Sequence, residues 1–451
     1  MKLQYAMLAL VVAPLLAFAE WKAGAAKVPM TPRGPLFMAG FGNRTKPGEG
    51  AAQELYAKAL ALEDPSGVRA VVVTTDMLGF PASLSKALAE RVSQRYGIPR
   101  DRLLLNSSHT HCGPLVTGMQ AAPTWAMNQK DWDAVAAYTA ELEEKLVAVV
   151  GEAIAGLAPA RLTFGKTVAS FGVHRRMPGG RIWGPNYAGP ADHDVPVLRV
   201  EAPGGALRAV VFGYACHNSS IGIYKFHGDY AGSAQKWLEE RHPGAVALFV
   251  MGFGGDVKPY PNESVELTES YGGMLGAAVD ARMRKALQPV GGGLETAFQT
   301  VPLQFAEPLT RAQLNERLRS GTPLIRRHAE LMLKLLDRDG RLPATYPYPV
   351  QAWQFGHDLT LVAMGGEVVS EYALRLKKEL GADNLWLAGY SNDVFAYIPS
   401  LRILEEGGYE AGVSSMEFYL QPGPWAPSIE ETVIGKVREV VKRVRGDPVT
   451  R

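Results

Sequence analysis

The feature that most constrains the fold is an alternation of short apolar runs with longer stretches of helical spacing. The run Arg69–Thr75 is rich in β-branched residues, and Leu103–Ser107 is a second apolar run of strand length. Between them, Ala82–Tyr96 has helical spacing and stops before Gly97, a typical helix-ending residue. This rhythm predicts an α/β fold with a largely parallel or mixed central sheet flanked by helices.

The alternation continues through most of the chain. One long amphipathic helix, or a broken pair, is predicted over Trp132–Leu157. Further strands are predicted over Val195–Val200, Leu207–Ala215 and Ala245–Met251, and further helices over Ser233–Arg241 and Ser270–Leu287. The rhythm breaks in Leu294–Gly356, where polar helices are predicted around Arg311–Asp339 and a proline-rich turn at Pro343–Pro349. That segment is interpreted as a subdomain or a flap.

The first residues have the pattern of a secretory signal peptide. Lys2 precedes the apolar run Tyr5–Phe18, and Ala17-Phe18-Ala19 fits the small-x-small cleavage rule. The alternative is an N-terminal helix of the mature fold. We expect a signal peptide over residues 1–19, a mature chain that starts at Glu20, and a secreted or periplasmic location. Residues 20–451 are expected to form a single domain.

Composition excludes some classes of partner. Apolar residues make up 47% of the chain and charged residues 20%, which is typical of a globular protein. The net charge is +2 and no basic block stands out, so no nucleic-acid partner is expected. The basic segment Lys436–Arg445 is interpreted as the solvated face of a closing helix, with peripheral membrane-surface contact as the alternative.

The chain has two cysteines, and both lie beside histidines. They are Cys112 and Cys216, so an exported protein of this size does not rely on a disulfide framework. Three interpretations stay open: small buried packing residues, one disulfide across the site, or thiolate metal ligands. Packing is favoured because free cysteine is among the most buried residue types.

Two histidine motifs indicate a metal site. In Asn106–Pro114, His109 and His111 stand at i and i+2, so on an extended stretch both imidazoles face one cavity. Neutral imidazole is the commonest protein metal ligand. In the second motif, Gly213–Ser220, His217 follows another apolar run.

The second motif continues into His227-Gly228-Asp229. Either His217 or His227 can be the ligand, and Asp229 can fix the tautomer of an imidazole by accepting a hydrogen bond from it. His227 is equally well interpreted as a surface loop residue.

A glycine-rich turn, Gly252–Pro259, forms the third motif. It lacks the spacing of a phosphate loop and is interpreted as a site-forming turn that aims Asp256 or Lys258 into the cavity. His109, His217 and Asp256 each follow an apolar strand. Ligands of α/β sheets bind beyond the carboxyl ends of strands, so the metal site is expected there.

The last two motifs supply oxygen ligands. Glu367 follows a strand at the start of a predicted helix, where it can ligate a metal, act as a base, or merely favour the helix N-terminus. Asn392 and Tyr397 lie in Leu387–Tyr397 after another apolar strand. Aromatic residues there are core residues by default.

Taken in this order, the five motifs resemble the catalytic domain of the neutral/alkaline (non-lysosomal) ceramidase family. The resemblance runs from about Ala23 to Ser414 and includes the opening segments Phe41-Gly42-Asn43-Arg44 and Thr75-Asp76. It implies a zinc site built from two histidines, a glutamate and a tyrosine, which fall on His109, His217, Glu367 and Tyr397. It also implies active-site roles for His111, Arg175 and Tyr409.

The sequence departs from the family at two points. Lys258 stands where ceramidases have a serine in the glycine-rich turn, and the C-terminal immunoglobulin-like domain of longer members is expected to be absent. Lys258 can add positive charge to the site or bind an anionic substrate group. That second role implies a substrate unlike ceramide, which carries no charge.

The resemblance implies hydrolysis of an N-acyl amide bond in a small-molecule or lipid substrate. Zn²⁺ lowers the pKa of bound water and polarises a carbonyl, so no serine nucleophile is needed. His111 is expected to act as the general acid–base, with Arg175 and Tyr409 stabilising the oxyanion. Two alternatives are a zinc hydrolase acting on esters, peptides or other acylated amines, and a secreted lipid- or glycan-binding protein with a degenerate site.

Overall fold

The structure is a computed structural model that describes residues 21–120, 126–180 and 182–446. The predicted signal peptide and its cleavage site lie outside the described residues, so their prediction stands untested.

The described strands and helices follow in chain order. The strands are β1 Trp21–Pro29, β2 Tyr56–Glu63, β3 Arg69–Thr75, β4 Leu103–Ser107, β5 Ala158–Val168, β6 Gly172–Arg176, β7 Trp183–Asn186, β8 Asp194–Glu201, β9 Leu207–Tyr214, β10 Val246–Met251, β11 Val257–Pro259, β12 Gln288–Pro289, β13 Leu294–Gln304, β14 Thr345–Phe355, β15 Leu359–Met364, β16 Glu367–Val368, β17 Leu385–Ala388 and β18 Tyr397–Ile398. The helices are α1 Ala82–Tyr96, α2 Gln129–Ala155, α3 Asp229–Arg241, α4 Val265–Met283, α5 Arg311–Ser320, α6 Pro323–Asp339, α7 Ser370–Leu380, α8 Leu401–Glu406, α9 Ser414–Glu417 and α10 Ile429–Arg445. A 3₁₀ turn covers Arg100–Arg102 and a π-helical turn covers Tyr409–Val413.

The largest sheet of the described residues is mixed. Its strands run in the order β10-β9-β8-β5-β1-β2-β3-β4, and β12 pairs with β5. Parallel pairing occurs at the two ends, between β9 and β10 and between β3 and β4, whereas the strands between them pair antiparallel. The predicted α/β class is confirmed, and of the two predicted sheet types the mixed one is correct.

Both faces of this sheet are buried, which explains its nearly continuous apolar strands. In β3, Val71 and Val73 face a core shared with helices α1 to α4, because side chains of a strand alternate between faces. Ala70 and Val72 face the opposite way, into a second core. That second core also holds Trp353, so a second sheet covers this face.

The second sheet has the order β13-β14-β15-β17 and carries its own helices on its outer face. In β14, Val350 faces a third core, which also contains Leu376 of α7 and Val437 of α10. The described chain is therefore layered as helices, sheet, sheet and helices. Each layer buries apolar surface that it could not bury alone.

Asn106 links the two ends of the large sheet. Its side-chain carbonyl accepts a hydrogen bond from the backbone N–H of Met251 at 2.8 Å. Its amide donates to the carbonyl of Gly389 at 2.8 Å, next to the second sheet. The carboxyl ends of β4, β10 and β17 therefore meet around one buried asparagine.

Most of the predicted elements are observed with close boundaries. The strands Arg69–Thr75 and Leu103–Ser107 and the helix Ala82–Tyr96 are observed over the predicted residues. The predicted turn at Pro343–Pro349 is wrong, because β14 starts at Thr345 and pairs with β13 through Pro347 and Pro349. Pro347 lies opposite Pro302, and a proline is tolerated where a strand needs no donor at that position.

Helices α5 and α6 form a hairpin with a small core of their own. Leu314, Ala329, Met332 and Leu342 are buried together, apart from the larger cores. The hairpin lies in Leu294–Gly356, the segment in which the alternation of strands and helices is predicted to stop.

The apolar face of α10 is buried against the second sheet, and several of its basic residues bond within the chain. Arg438 pairs with Glu379, and Arg445 donates to Thr360 and to the Leu380 carbonyl. None of the described helices has the length and apolar character needed to cross a bilayer.

Candidate metal centre

His109 is positioned by the carboxyl end of β4. It lies two residues beyond that strand, in the left-handed region at φ 63°. Its backbone N–H donates to the Met77 carbonyl at 3.0 Å, and its Nδ1 lies 2.7 Å from the Leu78 carbonyl. A carbonyl only accepts, so Nδ1 carries the proton and Nε2 presents a lone pair.

His217 is fixed in the same way from the other end of the large sheet. It follows β9, is fully buried, and donates its backbone N–H to the Val257 carbonyl at 2.9 Å. Its Nδ1 lies 2.7 Å from the Gly254 carbonyl, so its Nε2 is also free of a proton. The glycine-rich turn therefore orients this imidazole rather than contributing a ligand itself.

Glu367 and Tyr397 lie side by side. They are paired residues of the short parallel strands β16 and β18. Oε2 of Glu367 is 2.9 Å from Nε2 of His217 and 3.1 Å from Nε2 of His109. The Tyr397 hydroxyl lies 3.3 Å from Nε2 of His217. The structure thus brings together all four residues that the resemblance assigns to a metal.

His111 lies at the open side of this cluster. Its Nε2 is 3.3 Å from Nε2 of His109, and its ring packs edge-on against Phe41 with centroids 4.7 Å apart. Gly40 makes room for it. At φ 98°, a Cβ on Gly40 would lie 2.6 Å from Cγ of His111, so no other residue fits there without displacement.

The donor set fits a metal cation. Ligand atoms of His109, His111 and His217 all lie within 4.8 Å of one another. The Nε2 lone pairs of His109 and His217 point at one carboxylate oxygen inside a buried space, an arrangement that costs free energy unless a cation or a proton lies between them. Imidazole nitrogens with a carboxylate and a phenol oxygen are ligands that transition-metal ions accept.

The electrostatics keep His111 and His217 neutral and the Glu367 carboxylate ionised. Burial, with help from the Arg175 charge, lowers the pKa of His217 to about 4. Burial and the neighbouring histidines hold the pKa of His111 well below its usual range. Burial acts to raise the pKa of Glu367, but His109 and His217 outweigh it and keep that pKa well below 4.5. These are the protonation states that metal binding requires.

Arg175 and Tyr409 adjoin the cluster. Arg175 is buried on β6 and donates from Nη2 to the Tyr397 hydroxyl at 3.0 Å and from Nε to Glu410 at 3.0 Å. The Tyr409 ring lies 5.5 Å from that of Tyr397, centroid to centroid. Both residues therefore lie beside Tyr397, one of the four residues that the resemblance assigns to a metal.

Asp256 is not part of the cluster, contrary to its prediction as a catalytic residue. Its carboxylate accepts from the backbone N–H of Ser370 at 2.8 Å and from the Ser370 hydroxyl at 3.1 Å. It therefore holds the first residue of α7, directly after β16. At the preceding position a Cβ on Gly255 would lie 2.7 Å from the Glu367 carbonyl oxygen, so the turn approaches the glutamate strand closely.

In the second motif, His217 belongs to the cluster, whereas His227 and Asp229 stabilise the surrounding loops. His227 is buried, so its interpretation as a surface loop residue is wrong. Its Nδ1 accepts the backbone N–H of Asp229 at 2.9 Å, and its carbonyl accepts the Thr110 hydroxyl at 2.7 Å. Asp229 binds Ser220 rather than an imidazole. Both residues hold the two histidine loops together.

The two cysteines are free and buried, as the packing interpretation predicts. Cys112 lies in contact range of Arg44, with Nη2 to Sγ at 3.6 Å. Burial raises the pKa of Cys112 to about 12, so its thiol stays protonated.

Sequence reasoning missed two tyrosines that bind Glu367. The Tyr419 hydroxyl donates to Oε1 at 2.6 Å, and the Tyr390 hydroxyl lies 3.4 Å from Oε2. Tyr390 belongs to the segment Leu387–Tyr397, where its aromatic character was interpreted as core packing. No sequence signal marks Tyr419, which reaches the site from a distant part of the chain.

The geometry agrees with the comparison of the chain with known proteins. Residues 21–262, more than half of the 451, match the sequence model described as neutral/alkaline non-lysosomal ceramidase, N-terminal. The chain belongs to the neutral/alkaline non-lysosomal ceramidase family.

Two solved structures share the fold. A neutral ceramidase from Pseudomonas aeruginosa is 19% identical, with a TM-score of 0.72 over 94% of this chain and 74% of that one. A ceramidase complexed with C2 is 17% identical, with a TM-score of 0.71 over 94% of this chain and 75% of that one. No curated protein sequence gives a significant match. Family and fold together indicate a hydrolase.

Proposed function

We propose that this protein is a zinc-dependent hydrolase that cleaves an N-acyl amide bond in a ceramide-like lipid or a related acylated amine. One observation carries the proposal. Two imidazoles, each fixed by a backbone carbonyl, aim their Nε2 atoms at the same oxygen of Glu367. Membership of the ceramidase family supports the amide as the bond that is cleaved.

His109, His217, Glu367 and Tyr397 would hold the zinc. Nitrogen and oxygen ligands of this kind are those of catalytic zinc sites. When bound, the ion supplies a Lewis acid that polarises the amide carbonyl and lowers the pKa of water. The Arg175 guanidinium binds the Tyr397 hydroxyl and so orients this oxygen toward His217.

His111 is placed to move the proton. Its low pKa keeps it neutral near pH 7, so Nε2 can take a proton from the attacking water. The same nitrogen then returns the proton to the leaving amine, which must be protonated before the C–N bond breaks. Its half-buried position at the open side of the cluster gives it access to both groups.

Arg175 and Tyr409 are placed to stabilise the charge that develops on the carbonyl oxygen. Burial, reinforced by the Glu367 charge, raises the pKa of Tyr409 above 10, so its hydroxyl keeps its proton and can donate it in a hydrogen bond. A donor that is preorganised toward such an oxyanion contributes about 3 kcal/mol to the transition state.

Exposed apolar residues next to Tyr409 support a lipid substrate and contact with a membrane surface. Ile182 is 69% exposed beside the start of β7, and Tyr187, directly after β7, is 78% exposed. Trp183 of the β6–β7 hairpin packs edge-on against Tyr409, with ring centroids 4.6 Å apart. We place this contact at the hairpin rather than at α10, because the apolar face of α10 is buried.

A substrate panel on the purified protein tests this function. Metal content is measured alongside the hydrolysis of neutral N-acyl amides, esters and short peptides of matched acyl length. The proposal expects zinc in the protein and amides cleaved faster than esters or peptides. If only esters or peptides are cleaved, the protein is a different zinc hydrolase and the amidase proposal is wrong. Substrate binding without any turnover would indicate a degenerate site.

We propose further that the chain is exported, on the evidence of the signal-peptide pattern at residues 1–19. Mass spectrometry of exported protein is expected to find Glu20 as the first residue. Exported material that retains Met1 would contradict this.

A further inference from the structure

Lys258 projects from the same face of a small sheet as Arg175. In the antiparallel pair β6–β11, Lys258 lies opposite Val173. Arg175 lies two residues beyond Val173 on β6, and side chains two residues apart on a strand share a face. Arg175 contacts Tyr397 at the metal centre, so Lys258 is directed to the same side of the molecule.

The Lys258 ammonium has no hydrogen bond or ion pair with any described residue, although its side chain is half-buried. Two carboxylates lie in its electrostatic range, those of Glu263 and Asp229. Asp229 is already engaged, because it accepts the backbone N–H groups of Ser220 at 3.0 Å and Tyr230 at 2.8 Å. A partly desolvated cation without a partner favours an anionic ligand.

Lys258 lines a cavity of about 400 Å³, which adjoins the metal centre at Phe41. Phe41 is shared by the two, since it lines the cavity and packs against His111. Arg44 brings a second positive charge to the cavity wall. Its Nη2 donates to the His111 carbonyl at 3.1 Å, and its Nε is buried with no hydrogen-bond partner among the described residues.

The charges of the cavity do not cancel. Lys258 and Arg44 are cationic, whereas Glu263 is the one carboxylate among its described lining residues. Hydroxyl groups of Ser219 and Tyr224 add hydrogen-bonding capacity. The polar lining suits a charged or hydrogen-bonding group and is a poor environment for a long acyl chain.

We propose that this cavity binds a carboxylate on the amine half of the substrate, so that the preferred substrates are N-acylated amino acids. The inference rests on the proposed amide hydrolysis and names its substrate class. The acyl chain then extends toward the apolar β6–β7 hairpin, while Lys258 pairs with the carboxylate across the scissile bond from the acyl group.

The reaction balances without any further reactant. Water adds to the amide carbonyl, the C–N bond breaks, and the proton from water passes through His111 to the leaving nitrogen. The products are a fatty acid and a free amino acid, and nothing is oxidised or reduced.

The test compares N-dodecanoylglycine with its neutral amide, N-dodecanoylglycinamide, on wild type, Lys258→Met and Lys258→Arg. We expect Lys258→Met to lower kcat/KM for the carboxylate substrate by roughly 10- to 100-fold, the range for a lost bond to a charged group. The neutral substrate is expected to change by less than about threefold, because it does not use the charge. Lys258→Arg retains the charge and is expected to retain the preference.

Two further variants sharpen the assignment. Glu263→Gln removes the opposing carboxylate and is expected to increase the preference for the acid. Lys86→Met removes an ammonium that is 77% exposed on α1, away from the cavity, and is expected to change neither substrate.

The failures of the two proposals are distinguishable. An unchanged acid-to-amide ratio in Lys258→Met, with both substrates cleaved, overturns the cavity assignment and leaves the amidase intact. If no amide is cleaved, the amidase proposal fails. In that case calorimetric titration of N-dodecanoylglycine into wild type and Lys258→Met decides the cavity separately, and equal affinities overturn it.

Discussion

The metal centre and the Lys258 cavity lie side by side but are built differently. In the metal centre each of the four proposed ligands has a second bond that fixes its orientation, such as Nδ1 of His109 on the Leu78 carbonyl and Oε1 of Glu367 on the Tyr419 hydroxyl. In the cavity, the side chains of Lys258 and Glu263 have no hydrogen bond or ion pair within the described chain.

This difference assigns separate tasks to the two regions. When a second hydrogen bond fixes each metal ligand, the ligands hold one geometry, which a catalytic ion requires. Unpaired charges on a cavity wall can exchange partners, which suits selection among substrates. Substitutions at the centre should therefore abolish turnover, whereas those in the cavity should only redistribute it.

The largest expected effect is that of His109→Ala, which removes a proposed ligand. The resulting loss of zinc affinity and activity is expected to exceed the roughly 10- to 100-fold that is typical of removing an outer partner of a metal ligand. Bound zinc should fall together with kcat/KM, as measured by mass spectrometry of the metal and by amide hydrolysis. His357→Ala, at an exposed turn, is the matched control and should retain both.

Arg175→Met is expected to lower kcat by about 100-fold, because it removes a donor to the developing oxyanion. Arg175 also binds the Tyr397 hydroxyl, so zinc affinity should fall by up to the roughly 10- to 100-fold of a lost outer partner, and kcat is therefore compared at saturating zinc. Saturating zinc should restore the metal but not kcat, which distinguishes Arg175 from the ligands. The neighbouring Arg176 binds the same Glu410 but has no contact with Tyr397. Arg176→Lys should therefore change kcat little, and an equal loss in both variants would remove the oxyanion role from Arg175.

Asp256→Asn is expected to destabilise the fold by about 3 kcal/mol without loss of metal. The carboxylate makes two hydrogen bonds to Ser370 inside the protein, and bonds to a buried charged group are costly to weaken. Urea unfolding measures the change, with the exposed Asp383→Asn as control. A stable variant that has lost its activity would restore Asp256 to the catalytic residues.

The smallest effect concerns pH and His227. Burial lowers the pKa of His227 to about 4, below the 6.5 of an unfolded chain. Between pH 4 and pH 6.5 this histidine is therefore protonated in the unfolded state but neutral in the folded state. Its contribution to stability is complete above pH 6.5 and is lost as the pH falls toward 4. At pH 5 the loss from this residue is about 2 kcal/mol.

Urea unfolding of metal-free protein at pH 7.5 and pH 5 checks this. His227→Gln should lose less stability between the two pH values than the wild type, and His357→Gln should behave like the wild type. Equal losses in all three proteins would place the acid sensitivity elsewhere.

The sequence predicts elements whose periodicity is strong, such as Arg69–Thr75 and Ala82–Tyr96. It fails at β14, where prolines indicate a turn but the pairing with β13 tolerates them. The sequence also could not decide between parallel and mixed strand pairing. A strand that is buried on both faces has the same apolar composition whether its neighbours run parallel or antiparallel.

For the site, motif order identified residues that the fold brings together, including Glu367 and Tyr397 on paired strands. Asp256 was misplaced because a carboxylate after a glycine-rich turn has the same local pattern whether it faces a cavity or a helix N-terminus. Tyr419 was missed because its contact with Glu367 depends on tertiary packing across 52 positions of sequence.

The most direct test of the central claim is a zinc titration of metal-free protein with amide hydrolysis as the readout. The account predicts no activity at the start, a linear rise with added zinc, and a plateau at one equivalent per chain. His109→Ala should show no rise at one equivalent. Full activity in the metal-free protein, or a plateau that does not depend on His109, would contradict the proposed zinc centre.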